Sequence, residues 1–580
     1  MAQVSTPSIE SIAATGSEGR FAWIGRRITP WSMVAGFVTL LLGVLVLLPL
    51  YHLVIESLKT QTGLSLANYT QILQLKRFQE AMLNSLILAF ACSVSGMLLG
   101  APLAWLVSRT NIPLRGVIRL CVLGAFVAPG FVNALSWTLL SGPNAGYLNK
   151  LWMALTGSES GIFNIYTLPG LILVSLATVY PLSFLFMYNA FEMMDTEIEE
   201  AARVLGAGML RTLLTITLPL ARPAIIAGLI LMFMESLILY GVPVVIGVPA
   251  RIYVITTQLW SLFEYPPKIG LATALALPLL IVTAVLLWLQ RRLLAQGQFA
   301  TIQGKGGRRY RVDLGSWRWP ALAGAFVVIL FTLILPFSVL IGTSLLGQSF
   351  RGFSFDNLTL KNYWYVLFSY EAGTLSIRNS LTTAVIAATA GVFIAVVVAY
   401  LAERRIIRFG SLLAFLATMP LVIPGMVFAI GLFAAYSKGP IVLYGTLWIL
   451  ALAYLTMFLP FAYMSCSSAI ASVHVELESA ARVLGASRLR VLRDVTGPLM
   501  KNGMFAAWIL VFTPAVKELS ASVFLYNSKT TVISTAIMDA YLLPRWEAVA
   551  ALSVLLLAIN AVVVVVGYRA IGGNVIGQGR

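Results

Sequence analysis

The residues in this chain best placed to do specific chemistry come in two matched sets. Around the repeated heptad AARVLGA, the stretches DTEIEEAARVLGAGMLRTLLTITLPL (Asp195–Leu220) and HVELESAARVLGASRLRVLRDVTGPL (His474–Leu499) share about fifteen of 26 aligned positions. Glu197, Glu199 and Glu200 open the first copy, and Glu478 stands just ahead of the heptad in the second. Carboxylates in a first helical turn suit the positive end of the helix dipole. Ala201 and Ala202, with Ala480 and Ala481, are strong helix formers small enough to let a partner surface approach. Arg203 and Arg482 follow, and then Gly206 and Gly485 permit a turn that a side chain would hinder. A second short helix is expected next, with Leu210, Leu213 and Leu214 at helical spacing and Pro219 ending it; Pro498 is the counterpart. The chemistry on offer is docking, through a helix–turn–helix with a polar tip. A solvated loop kept alike by recent duplication is the alternative, but the flanking apolar runs should then match equally well, and they do not.

A second group of residues lies inside apolar runs. Glu235, Lys517 and Glu518 place charge at membrane depth, where it is costly and usually faces a cavity or an opposite charge. They are candidates for a translocation path, or for structural ion pairs. Pro129–Gly130 and Pro424–Gly425 interrupt two runs at matching positions. Proline removes a helix hydrogen bond, so a break there could shape a gate, or be a packing kink carried along by duplication. No metal site is expected. His52, near the outer face, and His474, in the second matched loop, are too far apart to share a metal, and Cys92, Cys121 and Cys466 sit singly in apolar runs. The nearest approaches to a phosphate-cradling loop, QGKGG at Gln303 and NSKT at Asn527, lack the G-x-x-x-x-G-K-[ST] frame. ATP hydrolysis, if used, belongs to a separate subunit, and this chain is expected to bind no cofactor itself.

The elements that carry these residues are membrane spans. The chain has 580 residues, 59% hydrophobic and 11% charged, with a mean hydropathy of +0.90. Soluble domains are about 45–50% apolar and about a quarter charged. Apolar runs of roughly 20 residues recur along the whole length. Twelve are expected, near 31–54, 82–107, 117–140, 167–190, 223–247 and 269–290, then 319–343, 377–401, 410–435, 443–466, 503–525 and 547–568. The fold class is therefore an all-α polytopic membrane protein of about twelve transmembrane helices. The net charge of +17 sits in short segments between these runs. That pattern fits cytoplasmic loops under the positive-inside rule and not a nucleic-acid surface. Placing both termini in the cytoplasm puts Arg109, Arg115, Arg119, Arg203, Arg211, Arg404, Arg405, Arg408, Arg482, Arg488, Arg490 and Arg493 inside.

The runs divide into two repeats. NSL at Asn84 returns at Asn379 and PG at Pro129 returns at Pro424, both 295 residues on, whereas the heptads lie 279 apart. The difference of 16 residues falls in the outside loop around Ser141–Thr167. Six spans per half is an even number, so the two six-helix repeats are parallel and not of the inverted kind common in secondary transporters. The expected organisation is a disordered cytoplasmic leader (1–30), a first transmembrane domain (31–290), a basic cytoplasmic linker (291–318), a second transmembrane domain (319–568) and a cytoplasmic tail (569–580).

The spacing E-A-A-x-x-x-G, nine residues, then I-x-L-P resembles the loop of the inner-membrane permeases of binding-protein-dependent ABC importers. Copy one fits at Glu200, Ala201, Ala202, Gly206, Ile216, Leu218 and Pro219; copy two departs at Ser479, Val495 and Gly497, its nearest glutamate being Glu478. The resemblance implies that each loop is a coupling helix seated in a groove of a cytoplasmic ATPase, with two ATPase copies carrying ATP and Mg. It also implies a periplasmic substrate-binding protein, docked outside around Val54–Glu80, Ser141–Thr167 and Gly342–Ser376, and transport by alternating access. The departure at Ser479 implies two unequal ATPase contacts. The fused pair, and the stretches Glu235–Trp260, Tyr265–Leu280 and Gly304–Leu322, are similar to the ferric-iron permeases; thiamine, aminophosphonate, polyamine and sulfate permeases are similar in sequence too. A secondary transporter or channel, or an exporter-type or signalling membrane protein, fits the paired loops less well.

Overall fold

A computed structural model describes residues 30–61, 63–143, 145–194, 197–264, 266–296, 311–348, 354–438 and 440–570. The expected leader, the middle of the linker and most of the tail lie outside these residues.

Without water, a backbone N–H or C=O must find its partner inside its own segment, so long apolar runs fold as helices. Among the described residues ten helices are long and apolar enough to cross a membrane. In the first half they are Pro30–Leu58, Lys76–Arg109, Leu168–Met193, Met209–Leu237 and Ile269–Leu294. In the second they are Gly315–Ser344, Glu371–Glu403, Leu447–Ala471, Arg488–Val516 and Trp546–Gly567. The runs expected at 117–140 and 410–435 are not straight crossings. Arg115–Val127 turns by 99° into Gly130–Ser141, and Gly410–Val422 by 108° into Gly425–Tyr436. Both bends fall at the repeated Pro–Gly pair. Proline disfavours helical backbone in the residue before it, and Ala128 is accordingly extended at ψ 137°.

The fifth span of each half also departs from expectation. It begins at Met209, not near 223, and ends at Leu237, not near 247; its counterpart runs Arg488–Val516. Pro219 therefore does not end a separate short helix. A π turn, Leu213–Thr217, precedes it and the helix continues; Leu492–Thr496 does the same before Pro498. Pro49 and Pro336 likewise follow π turns at Gly43–Leu47 and Leu330–Ile334. Proline clashes with the carbonyl four residues back and donates nothing to it. One widened turn relieves that clash and lets the span run on.

The second, fourth and fifth spans of each half pack on one another as its core. The first spans cross over. Leu48–Leu58 packs against Gly425–Tyr436 of the second half, and Leu335–Ser344 against Gly130–Ser141 of the first. Gly431 permits one of these approaches, since a Cβ there would lie 2.7 Å from the Pro49 carbonyl oxygen.

Between the fifth and sixth spans each half turns back into the bundle through short segments. They contain Pro243–Gly247 and Ile255–Ser261 in the first half, Ser522–Leu525 and Ile533–Leu542 in the second. Val242–Gly247 and Thr530–Met538 are buried throughout. The two segments meet each other: the Tyr541 hydroxyl donates to the Val245 carbonyl at 3.1 Å, and the Phe263 and Phe524 rings stand edge to face at 4.8 Å.

Candidate functional site

The two matched stretches form two matched hairpins. The first has the helix Glu197–Val204, a turn at Gly206, and then the start of the fifth span. The second has Val475–Val483 and a turn at Gly485. Gly206 and Gly485 lie at φ +85° and +88°. The Gly206 amide donates to the Arg203 carbonyl and the Ala207 amide to that of Ala202; Gly485 and Ala486 repeat this with Arg482 and Ala481. That pair of bonds closes a helix around a left-handed residue. A Cβ at either glycine would meet nothing within 4 Å, so the demand for glycine is conformational and not steric.

The tip presented by this turn is apolar, which corrects the expectation of a polar one. Val204 and Leu205 are 88% and 87% exposed, Val483 and Leu484 87% and 88%. Ala201 and Ala480 are exposed beside them, Ala202 and Ala481 half-buried. Covering two such side chains contributes roughly 3–6 kcal/mol per hairpin.

The polar residues do the anchoring. Glu199 and Glu478 are both buried. Glu478 Oε1 accepts from Arg404 Nε at 2.9 Å and from the Thr496 hydroxyl at 2.9 Å. Glu199 pairs with Arg109 at 4.0 Å and accepts from the Thr217 hydroxyl at 2.8 Å. The arginines close the hairpin base: Arg109 donates to the Met194 carbonyl, Arg404 to those of Ile470 and Val473. Thr217 and Thr496 are the last residues of the π turns before Pro219 and Pro498. Glu478 is thus not a displaced substitute for Glu200. It is the counterpart of Glu199, and Glu200 and Ser479 occupy half-buried and exposed positions outside the anchor.

The linker reaches the first hairpin. Thr110 and Val312 form a parallel bridge, and the Asn111 side-chain amide donates to Asp313 at 2.6 Å. The Gly315 amide and then Asn111 hold the Asp313 carboxyl below the usual carboxylate range. Val312 closes a small cavity with Trp105, Glu199, Arg203 and Thr217.

The path candidates divide. Lys517 stands just past the end of the eleventh span, not within it, and donates to the Val127 carbonyl at 3.0 Å across the boundary between halves. That carbonyl belongs to the last helical residue before the Pro129 elbow. The matching carbonyl at the other elbow, Val422, lies 3.1 Å from the Thr283 hydroxyl of the first half, which is shared with Leu279 and Leu280. Lys517 and Glu518 do not form an ion pair among the described residues. Glu518 instead accepts from the Ala521 amide at 2.7 Å, and its carboxylate lies 3.9 Å from where a Cβ on Gly425 would stand. Gly130 abuts Thr178 and Val242. Glu235 is half-buried in the fifth span and makes no hydrogen bond or ion pair among the described residues. Among them, no group of three or more His, Cys, Asp or Glu side chains is arranged to hold a metal ion.

Residues 93–298 and 391–571 both match the family described as binding-protein-dependent transport system inner membrane component. The chain belongs to that family. Its two matches each contain one hairpin and one elbow, and with the apolar helices they make it a multi-pass inner-membrane permease. The chain is 26% identical over 475 residues to the ferric transport system permease protein FbpB of Actinobacillus pleuropneumoniae, covering 80% of this chain and 66% of that one. It is 24% identical over 545 residues to a probable ABC transporter permease protein, y4fN, of Sinorhizobium fredii, covering 90% of each. Over 234 residues it is 27% identical to the spermidine/putrescine transport system permease protein PotB of Escherichia coli, covering 40% of this chain and 84% of that one.

Sequence reasoning missed Arg109, Arg404, Thr217 and Thr496 as site residues. The signal was present. The arginines are 295 residues apart, as the Pro–Gly pairs are, and the threonines 279 apart, as the heptads are.

Proposed function

We propose that the chain is the transmembrane permease of an ATP-driven ABC importer, made of two fused domains, 31–290 and 319–568. Two copies of a cytoplasmic ATPase, carrying ATP and Mg, seat on the hairpin tips. Both termini and the linker face the cytoplasm. A periplasmic binding protein delivers cargo to the opposite end, and the chain itself contributes passage and no catalysis. The observation that carries this reading is the pair of hairpins, each offering an apolar tip and each held by a buried Glu–Thr pair with an arginine beside it. One such site per half fits two identical ATPase subunits.

Ferric iron is the proposed cargo. The likeness to a ferric permease extends over both halves, while the likeness to a polyamine permease is confined to 40% of the chain. Alternating access follows from the layout. ATPase closure moves the hairpins, and the elbows and re-entrant segments exchange their contacts across the two halves.

Reconstitution with the cognate ATPase and binding protein tests both parts. Binding protein loaded with ferric iron is expected to raise the ATPase rate. Replacing Val483 and Leu484 with aspartate is expected to abolish co-purification of the ATPase while the permease stays folded. ATPase binding that survives both that change and the same change at Val204 and Leu205 overturns the docking reading. Stimulation only by a binding protein carrying an iron-free organic ligand overturns the iron assignment.

A further inference from the structure

The repeated NSL motif has no place in the hairpins, yet it is used identically in both halves. The Ser85 hydroxyl accepts from the Ile255 amide at 2.8 Å, and the Ser380 hydroxyl from the Ile533 amide at 2.8 Å. The Asn84 side-chain amide donates to the Tyr253 carbonyl at 3.0 Å; that of Asn379 donates to the carbonyls of Thr531 at 2.9 Å and Lys529 at 3.2 Å. Each Asn–Ser pair therefore grips the strand-like lead into a re-entrant helix. These grips lie near the start of the second span of each half. At the other end of the same helices stand Arg109 and Arg404, which grip the hairpins through Glu199 and Glu478. Twenty-four residues separate grip from grip in each half, about 36 Å of helix.

We infer that the second span of each half is a strut that carries hairpin motion to the re-entrant segment at the far end. This deepens the importer reading and rests on it. A hydrogen-bonded helix resists axial stretching, and both of its ends are bound to the elements that must move together. The re-entrant segments meet each other through Tyr541 and Val245 and through Phe263 and Phe524. Displacing one strut against the other separates these contacts, so hairpin movement opens the end of the bundle opposite the ATPase. The second-half strut, Glu371–Glu403, contains no proline, whereas the first carries Pro102. The second half transmits displacement more directly.

Two measurements test the strut in the reconstituted complex. In the first, Asn379→Ala with Ser380→Ala removes the far grip and leaves the hairpin untouched. ATPase binding and the unstimulated rate are expected to persist, while stimulation by loaded binding protein falls by about fivefold or more, the lower range of allosteric coupling. Full stimulation by this variant overturns the strut. Loss of ATPase binding by the unmodified chain would instead overturn the importer reading. The second measurement does not depend on that variant folding. Spin labels at the exposed positions Ser479 and Ser528 span one strut, and labels at Arg251 and Ser528 span the two halves. Between nucleotide-free and nucleotide-trapped states the first distance is expected to stay constant and the second to lengthen. A change in the first distance as large as that in the second overturns the proposal.

Discussion

Arg404 Nε lies 2.9 Å from Glu478 Oε1, while their counterparts Arg109 and Glu199 stand 4.0 Å apart. Arg109, Glu199 and Glu478 are buried and the Arg404 side chain is only 11% exposed, so each charge depends on its few protein partners for the solvation that burial removed. Deleting one member of a buried pair strands the other and costs about 3–5 kcal/mol. Glu478→Ala is expected to loosen the second hairpin and lower the thermal midpoint of the purified permease. A double-mutant cycle with Arg404→Ala checks it: the two losses should be strongly non-additive. Simple additivity would mean that the pair does not anchor the hairpin.

Glu200 and Ser479 make the opposite case. They mark one of the positions at which the two copies differ, yet neither takes part in the anchor. Glu200→Ser and Ser479→Glu are each expected to change stability by no more than about 0.5 kcal/mol and to leave ATPase co-purification intact. A loss of co-purification in either variant would show that the two contacts are unequal at this residue.

Lys517 caps the Val127 carbonyl across the two halves. Lys517→Met leaves that carbonyl without its donor, a loss of about 1–3 kcal/mol, which shifts a closed–open equilibrium by roughly 5- to 150-fold. The expected result is ATPase activity in proteoliposomes that no longer needs binding protein. Lys517→Arg, which retains a donor, should restore the dependence. An unchanged dependence in Lys517→Met would remove the elbow cap from the gating scheme.

Gly206 and Gly485 share a left-handed backbone and open surroundings. Valine there costs about 1–2 kcal/mol through backbone conformation alone, and asparagine, which tolerates that region, costs less. ATPase co-purification should fall in the order glycine, asparagine, valine at each position. Equal losses for asparagine and valine would point to a steric contact with the partner instead.

Much of this protein can be read from its sequence because the membrane makes the code simple. Length and apolarity gave twelve runs, and the shared offsets of 295 and 279 residues located the two halves, both hairpins and both elbows. The glycine turns followed from Gly206 and Gly485, since few other residues hold a left-handed backbone cheaply. The hairpin's polarity is not legible in its sequence, because charge there does not mean exposure. Glu199 and Glu478 are turned inward onto Arg109 and Arg404, 90 and 74 residues away, and Val and Leu are turned out.

By itself, the sequence determined a duplicated bundle of apolar helices, where its chain breaks, and which loop repeats. Those features depend on local backbone hydrogen bonding and on periodicity. Only the tertiary structure decided which side chains meet: Lys517 with Val127, Ser380 with Ile533, Glu478 with Arg404. Each of those contacts joins segments at least 74 residues apart. Local pattern cannot specify such partners, because the pairing is set by how packed helices exclude every other partner from the same buried space.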